Sequence, residues 1–524
     1  MPGDERVGTV SKLNFVRDPK FLLMYSPLQF RPDDSAKPDG SLALPYLAAA
    51  LRQQDYEVAI LDACVGNERH SLKDTFYRKV ELPNGLIRIG MSPDDIAKEI
   101  APYDVIGITS IFTAQTSRVI EVVKLVKQVD PSKLVVLGGV NARTLTARFF
   151  EAGADAICLS EAETTILEIG DALRRGNRDF SKIAGVTFVQ GGRVITNPQA
   201  FVEQNLDNLP IPAWEMLPLK RYWEIARPHG GGFSPENRIR YGSLMTSRGC
   251  PFKCEYCHIS KEVEGSPFGN IRSLRSKSVE RVIREIDILK DLSVEYVFVE
   301  DDSLLAKKKR AMSIFAEIKK RKLTLSDVNG VNVMHLFTKA DGKRVVDREL
   351  LESMVEAGFR ELTLPFESGS QRIIDQYATG KLDLGLDLIS LIRTAKELGL
   401  IVGGNYTFGY PDETYDELTE TIMLAERHMD AGLDRANVMI IVPFPGTVLY
   451  EQALAGGYLA PDFDPDFMNW MYPTMKNTII HPEVLRYVNK ICWRLLNHSW
   501  RIENISSMAL AEAHAALKSL ESTA

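Results

Sequence analysis

This sequence is short of several things, and each shortage removes a class of function. It has no basic excess: 63 Lys and Arg against 70 Asp and Glu give a formal net charge of -7. A nucleic-acid binder announces itself by a basic stripe, so a nucleic-acid partner is not expected. The short Ala306–Arg310 run (AKKKR) reads as a solvated helix start. No apolar run reaches the ~18 residues that a bilayer-spanning helix needs. The first fifteen residues, MPGDERVGTVSKLNF, hold no apolar leader, so a cytoplasmic protein without a transmembrane segment is expected. Neither G-x-G-x-x-G nor G-x-x-x-x-G-K-[ST] occurs, which removes the main support for dinucleotide and phosphate-loop readings.

Cysteine is also scarce, at six in 524 residues. A disulfide framework spaces its cysteines along the chain. Here Cys64, Cys158 and Cys492 are scattered among apolar neighbours and read as buried hydrophobes. The other three are crowded together as Cys250-x3-Cys254-x2-Cys257, just past an apolar stretch.

The periodicity predicts two α/β units. In the first, strands at Phe21–Tyr25, Tyr56–Leu61, Val105–Thr109, Leu134–Leu137 and Ala156–Leu159 alternate with helices over Leu42–Gln53, Arg118–Val129 and Glu163–Arg174. That alternation makes a doubly wound parallel sheet, whose ligands sit at the strands' carboxyl ends. Gly185–Ala200 reads as a hairpin about Gly-Gly, and the proline-rich Leu206–Leu219 as a linker. In the second unit, strands at Ser243–Arg248, Tyr296–Glu300, Gly330–His335, Glu361–Phe366, Val402–Phe408 and Asn437–Val442 suggest a partial (β/α)6 barrel, with its site at the carboxyl ends. The expected division is 1–180 for the first sheet, 181–238 for hairpin and linker, 239–452 for the barrel, and 453–524 for a mainly helical, aromatic-rich tail (Phe467, Trp470, Tyr472, Trp493, Trp500).

Three thiolates on one loop ligate three irons of a cubane and leave the fourth open, where four cysteines are otherwise common. A zinc site would need a fourth protein ligand, and His258, adjacent to Cys257, is badly placed to complete a tetrahedron.

The cysteine loop resembles that of the radical S-adenosylmethionine (SAM) superfamily. Tyr256 stands where the family carries an aromatic residue. Glu300, Asp301 and Asp302 end the second barrel strand, where many relatives have Gly-Gly-Glu. Pro365-Phe366-Glu367-Ser368-Gly369-Ser370 is similar to a G-x-E-S-G-S element. Gly409-Tyr410-Pro411-Asp412-Glu413-Thr414 and Pro443-Phe444-Pro445-Gly446-Thr447 resemble later turns of the same barrel. Taken singly these have bland readings: Asp301 or Asp302 as a helix cap, Glu367 as a lysine's partner, Gly409 and Gly446 as turn residues.

The resemblance implies a [4Fe–4S] cluster on Cys250, Cys254 and Cys257. It implies SAM at the open iron, with Tyr256, Glu300, Asp301, Asp302, Glu367 and Ser368 around it. Asn405 is a further guess at a polar contact.

The first sheet resembles the cobalamin-binding domain that precedes many such barrels, and Asp155 to Thr164 resembles its D-x-x-x-x-G-E-x-E-T element, with Ser160 in place of the glycine. The implied cobalamin contacts are Ser110, Thr113, Gly138, Gly139, Ser160, Glu161 and Glu163. D-x-H-x-x-G is missing and His70 is the sheet unit's only histidine, so cobalamin is expected base-off without a histidine ligand.

The function expected is methylation of an unactivated carbon through a 5′-deoxyadenosyl radical and methylcobalamin, with flavodoxin or ferredoxin as electron donor. The substrate class stays open among small molecules, lipids, tetrapyrroles and peptides. The alternatives are a non-methylating cyclisation or rearrangement with the same cofactors, and a non-catalytic iron–sulfur sensor. A tRNA methylthiotransferase is disfavoured, because its three further cysteines and basic RNA-binding module are missing.

Overall fold

The computed structural model describes residues 17–34, 36–37, 40–199, 201–228, 239–498 and 505–523. Trp500, Ala200 and the first fifteen residues therefore lie outside the described residues.

The first sheet is built from β1 (Phe21–Tyr25), β2 (Val58–Asp62), β3 (Val105–Thr109), β4 (Leu134–Gly138), β5 (Ala156–Cys158), β6 (Val186–Gln190) and β7 (Arg193–Thr196), in the order β7-β6-β5-β4-β3-β1-β2. The first five are parallel, and the β6–β7 hairpin adds two antiparallel strands beside β5. The hairpin thus continues this sheet. All five residues of β1 are buried. Phe21, Leu23 and Tyr25 enter one apolar core, while Leu22 and Met24 enter the other. A strand covered on both faces needs an unbroken apolar run, which is why FLLMY reads so plainly. The order in which strands are added reverses between β1 and β3, and the crevice at that switch point is where such sheets take ligands.

The second sheet runs β8 (Tyr241–Leu244), β9 (Tyr296–Val299), β10 (Thr324–Asp327), β11 (Phe359–Glu367), β12 (Ile401–Phe408) and β13 (Arg435–Ile440), all parallel and in chain order. This is the expected six-stranded partial barrel with two corrections. Its first strand is Tyr241–Leu244, not Ser243–Arg248, because Ser247-Arg248 leave the sheet to pair with Arg275-Ser276. Its third strand is Thr324–Asp327, not Gly330–His335. Gly330 turns at φ +88°, and Val333–Leu336 is a 3-10 turn whose Asn332 side chain accepts from the Met334 N–H. The real strand, TLSD, hid behind its polarity. Its Ser326 is buried because the Tyr296 hydroxyl covers it.

The tail contributes to the barrel directly. The helix Pro482–Leu496 lies along β13, where the Asn489 amide donates to Val438 O at 2.8 Å. Asn497 accepts from Ala436 N at 2.9 Å and donates to Ala436 O at 2.8 Å. These amides occupy backbone groups that an edge strand would otherwise offer to another chain. Helix Ile505–Thr523 packs outside Pro482–Leu496. No helix among the described residues is long and apolar enough to cross a membrane.

Candidate active site between the sheet and the barrel

The cysteine loop leaves β8 and is clamped before it reaches Cys250. Asp301 is 4% exposed and accepts from Thr246 N and Thr246 Oγ1, both at 2.6 Å, and from Ser247 Oγ at 2.5 Å. It does not cap the next helix; it fastens the strand that feeds the loop. Gly249, at φ +91°, lies so close to the 272–273 backbone that a Cβ there would stand 2.4 Å from Ser273 O. Cys250 N donates to Arg272 O at 3.1 Å. Lys253-Cys254 then pairs with Ala378-Thr379, which brings Lys381 under the loop.

Cys254 is buried; Cys250 and Cys257 are half-buried. Burial pushes the Cys257 thiol up to about 12 and raises those of Cys250 and Cys254. Lys381 opposes the rise at all three. Such thiols stay protonated until a metal takes the proton's place. Among the described residues, no three Cys, His, Asp or Glu side chains converge on one point. A mononuclear zinc centre needs that convergence. Three cysteines on one loop are the donor type that an iron–sulfur cluster takes.

Around it the barrel mouth is polar. Glu367, at the end of β11, adopts φ +60° and is 4% exposed. A non-glycine residue in that region is costly and clusters at functional sites. Its carboxylate pairs with Lys381 Nζ at 2.5 Å, so the lysine partner exists. Burial alone would depress the Lys381 ammonium; Glu367, then Cys254 and Cys257, raise it instead. Lys381 also lies 5.8 Å from the Tyr256 ring centroid. The Tyr256 hydroxyl is buried beside Glu367 and Cys254. Tyr410 stacks on Tyr377 at 4.5 Å and bonds Thr407 Oγ1 at 2.8 Å. Asn405 Oδ1 accepts from Asn437 at 2.8 Å across β12 and β13. Glu300 is half-buried at the end of β9, and burial raises its carboxyl.

Ser368 sits apart. It is fully buried and bonded to Thr421 at 3.1 Å on the helix Tyr415–Asp430. Lys381, Thr407 and Asn437 carried no sequence signal as site residues, while Tyr410 stood inside the Gly409–Thr414 turn element. Lys381 sits on a loop between elements, and Thr407 and Asn437 needed the strand register.

A cavity of about 340 Å³ opens between the carboxyl ends of the first sheet and this loop. Gly107, Thr109, Gly138, Gly139, Ser160, Glu161 and Glu163 line it from the sheet; Arg248, Gly249, His258, Glu262 and Asp302 line it from the barrel. A Cβ at Gly138 would meet nothing within 4 Å, and Ser160 Oγ is buried with no partner. A slot of small residues with an orphaned hydroxyl fits the nucleotide end of a corrinoid. Ser110 and Thr113 are buried but do not line the slot. Ser110 accepts from the Asn141 amide at 2.9 Å, and Thr113 O accepts from Thr116 Oγ1 at 2.7 Å, so both brace the loops behind it. His70 accepts from Asn67 N at 3.4 Å, away from the slot. His258 reaches the slot wall from the barrel side, with 45% of its side chain exposed.

Residues 244–425 match the Radical SAM superfamily and residues 40–170 the B12 binding domain. An uncharacterized methyltransferase of Pyrococcus horikoshii is 30% identical over 447 residues, covering 84% of this chain and 82% of that one. The cytidylyl-2-hydroxyethylphosphonate methyltransferase of Streptomyces wedmorensis is 28% identical over 455 residues, covering 80% and 79%. Among solved structures, the radical SAM methyltransferase TsrM of Kitasatospora setae, with cobalamin and a [4Fe-4S] cluster bound, superposes with a TM-score of 0.61 at 16% identity, covering 84% of this chain and 80% of that one. OxsB, with aqua-cobalamin and S-adenosylmethionine bound, gives 0.68 at 15%, covering 95% and 71%. At these identities the two structures attest the fold alone.

Proposed function

The chain belongs to the cobalamin-dependent radical SAM methyltransferase family, an enzyme with a [4Fe–4S] cluster, SAM and cobalamin as cofactors, and from that premise we propose that it methylates an unactivated carbon of a small-molecule substrate by a radical route. The observation that carries this is the shared wall. Gly249 and Asp302, which bound the slot on the barrel side, flank the start of the cysteine loop. A group held in the slot therefore stands next to one held by the cysteines.

When bound, the cluster with SAM supplies a one-electron route to a carbon-centred radical, and cobalamin supplies a transferable methyl group. The chain's own part is positional. Cys250, Cys254 and Cys257 hold the cluster. Glu367 and Lys381, a charged pair beneath the loop, offer a carboxylate for hydroxyl groups and an ammonium for a carboxylate. Tyr256 adds a hydroxyl beside Glu367 and Cys254. Asn405, Asn437 and Glu300 present polar groups to the mouth of the barrel. Gly138, Gly139 and Ser160 leave room for the corrinoid tail, which the reading takes as bound base-off. Ser110, Thr113, Asp301 and Ser368 act behind these groups, holding loops in place. The proposed domains are 1–180, 181–238, 239–452 and 453–524, with the hairpin of the second segment packed as an extension of the first sheet.

The test is anaerobic turnover with SAM and a one-electron reductant. Cytidylyl-2-hydroxyethylphosphonate, named for the Streptomyces relative, is the first substrate to try. The expected result is 5′-deoxyadenosine together with a product heavier by one methylene group. Product of unchanged mass, formed with 5′-deoxyadenosine, would instead mark a rearrangement.

A further inference from the structure

The slot and the cysteine loop are joined by a buried set of four charged side chains. Arg248 stands two residues before Cys250, and its backbone pairs with Arg275 on an adjacent two-residue strand. Both side chains leave the barrel and reach the loop after β5. Arg248 donates to Glu163 at 2.6 Å and pairs with Glu161 at 3.1 Å. Arg275 grips both oxygens of Glu161, at 2.7 and 2.8 Å. None of the four side chains is more than 15% exposed.

Two arginines side by side repel each other. The two glutamates neutralise them, and a bidentate fork fixes direction as well as charge. The Arg248 guanidinium also lies over the Tyr46 ring, 4.8 Å from its centroid. Tyr46 accepts from Lys277 Nζ at 2.7 Å, and Lys277 pairs with Glu285, so the set is anchored into the barrel's first helix, Val279–Asp291.

Tyr46, Glu161, Glu163, Arg248 and Gly249 all line the slot. Anything that fills the slot therefore presses on the same side chains that hold the start of the cysteine loop. The loop has little slack there, because Gly249 is wedged against the 272–273 backbone and Cys250 N is bonded to Arg272 O.

We propose that Arg248, with Arg275, Glu161 and Glu163, couples the two cofactor sites, so that a formed cluster tightens corrinoid binding in the slot. Arg248 is a positioning residue: it acts through the loop and the slot wall. The proposal rests on the reading of the slot as the cobalamin site. Coupling of this kind is reciprocal and typically amounts to about 5- to 150-fold in affinity.

The experiment measures the hydroxocobalamin dissociation constant of the full chain in two forms, chelator-stripped and anaerobically reconstituted with iron and sulfide. The wild type should bind at least about fivefold tighter when reconstituted. In Arg248→Lys, which keeps the charge but loses the fork, that ratio should fall below about twofold. Glu163→Gln, nearly isosteric, should lower it as well and stands in if the lysine variant fails to fold. A wild-type ratio of one, or an unchanged ratio in folded variants, overturns the coupling while leaving the slot reading intact. Failure of the reconstituted wild type to bind hydroxocobalamin at all overturns the slot reading itself, and the coupling with it.

Discussion

Replacing Lys381 with methionine tests the pair beneath the cysteine loop. The Glu367 side chain is 5% exposed and the Lys381 side chain 21%. Methionine keeps most of the apolar stem and removes the charge. Glu367 is then left as a buried carboxylate beside Cys254, with its 2.5 Å partner gone. Breaking one side of a buried pair costs 3–5 kcal/mol, and the partial exposure of Lys381 puts this case near the lower end, about 3 kcal/mol. For a unit the size of this barrel that is a fall of about 6–12 °C in Tm. Calorimetry of the cluster-free chain reads it directly. Glu367→Gln and the double variant complete a cycle, and the double variant should recover part of the loss, with a coupling energy of about 2 kcal/mol. A Lys381→Met protein within about 0.5 kcal/mol of wild type would refute the argument, since that is the range of an ordinary surface change.

Four other outcomes follow. Glu413 accepts from Gly409 N and from Tyr410 N at 3.2 Å, and burial pushes its carboxyl from 4.5 up to about 8. A raised carboxyl binds its proton more tightly folded than unfolded, so stability falls as pH rises between about 4.5 and 8; Glu413→Gln should flatten that fall in denaturation series at several pH values. Gly409→Ala meets φ +88° and places a Cβ 3.0 Å from a Leu485 methyl, so it should cost about 1–3 kcal/mol by chemical denaturation. Gly138→Leu projects into open space at the slot wall and should weaken hydroxocobalamin binding at least about tenfold with little change in Tm. Cob(II)alamin in the chain should show no axial-nitrogen splitting by electron paramagnetic resonance; a splitting that vanishes in His258→Ala would make His258 a cobalt ligand.

The sequence conveyed the fold wherever burial and periodicity agreed. Phe21–Tyr25 and Glu163–Arg174 stand where the pattern puts them, because both faces of the strand and one face of the helix are covered. Thr324–Asp327 escaped because Ser326 is buried by a hydroxyl partner rather than by apolarity. The three cysteines were legible because they are contiguous. Lys381 was not, since nothing in Gly380-Lys381-Leu382 reveals that Ala378-Thr379 will pair with Lys253-Cys254. Glu161 and Glu163 were legible as a motif, yet their arginine partners lie about a hundred residues away and only the packing of sheet on barrel shows them. Ser110 and Asp301 show the reverse: polar residues at strand ends whose hydrogen bonds are spent on the backbone and side chains of neighbouring loops.

The central claim is that one chain holds a cluster and a corrinoid side by side and uses them with SAM. Anaerobic reconstitution with iron, sulfide and hydroxocobalamin, followed by iron, cobalt and 5′-deoxyadenosine analysis of the same reduced, SAM-treated sample, tests it most directly. Four irons and one cobalt per chain are expected, with 5′-deoxyadenosine that disappears in Cys250→Ala. A chain that retains iron but no cobalt, or forms no 5′-deoxyadenosine with both cofactors in place, would contradict it.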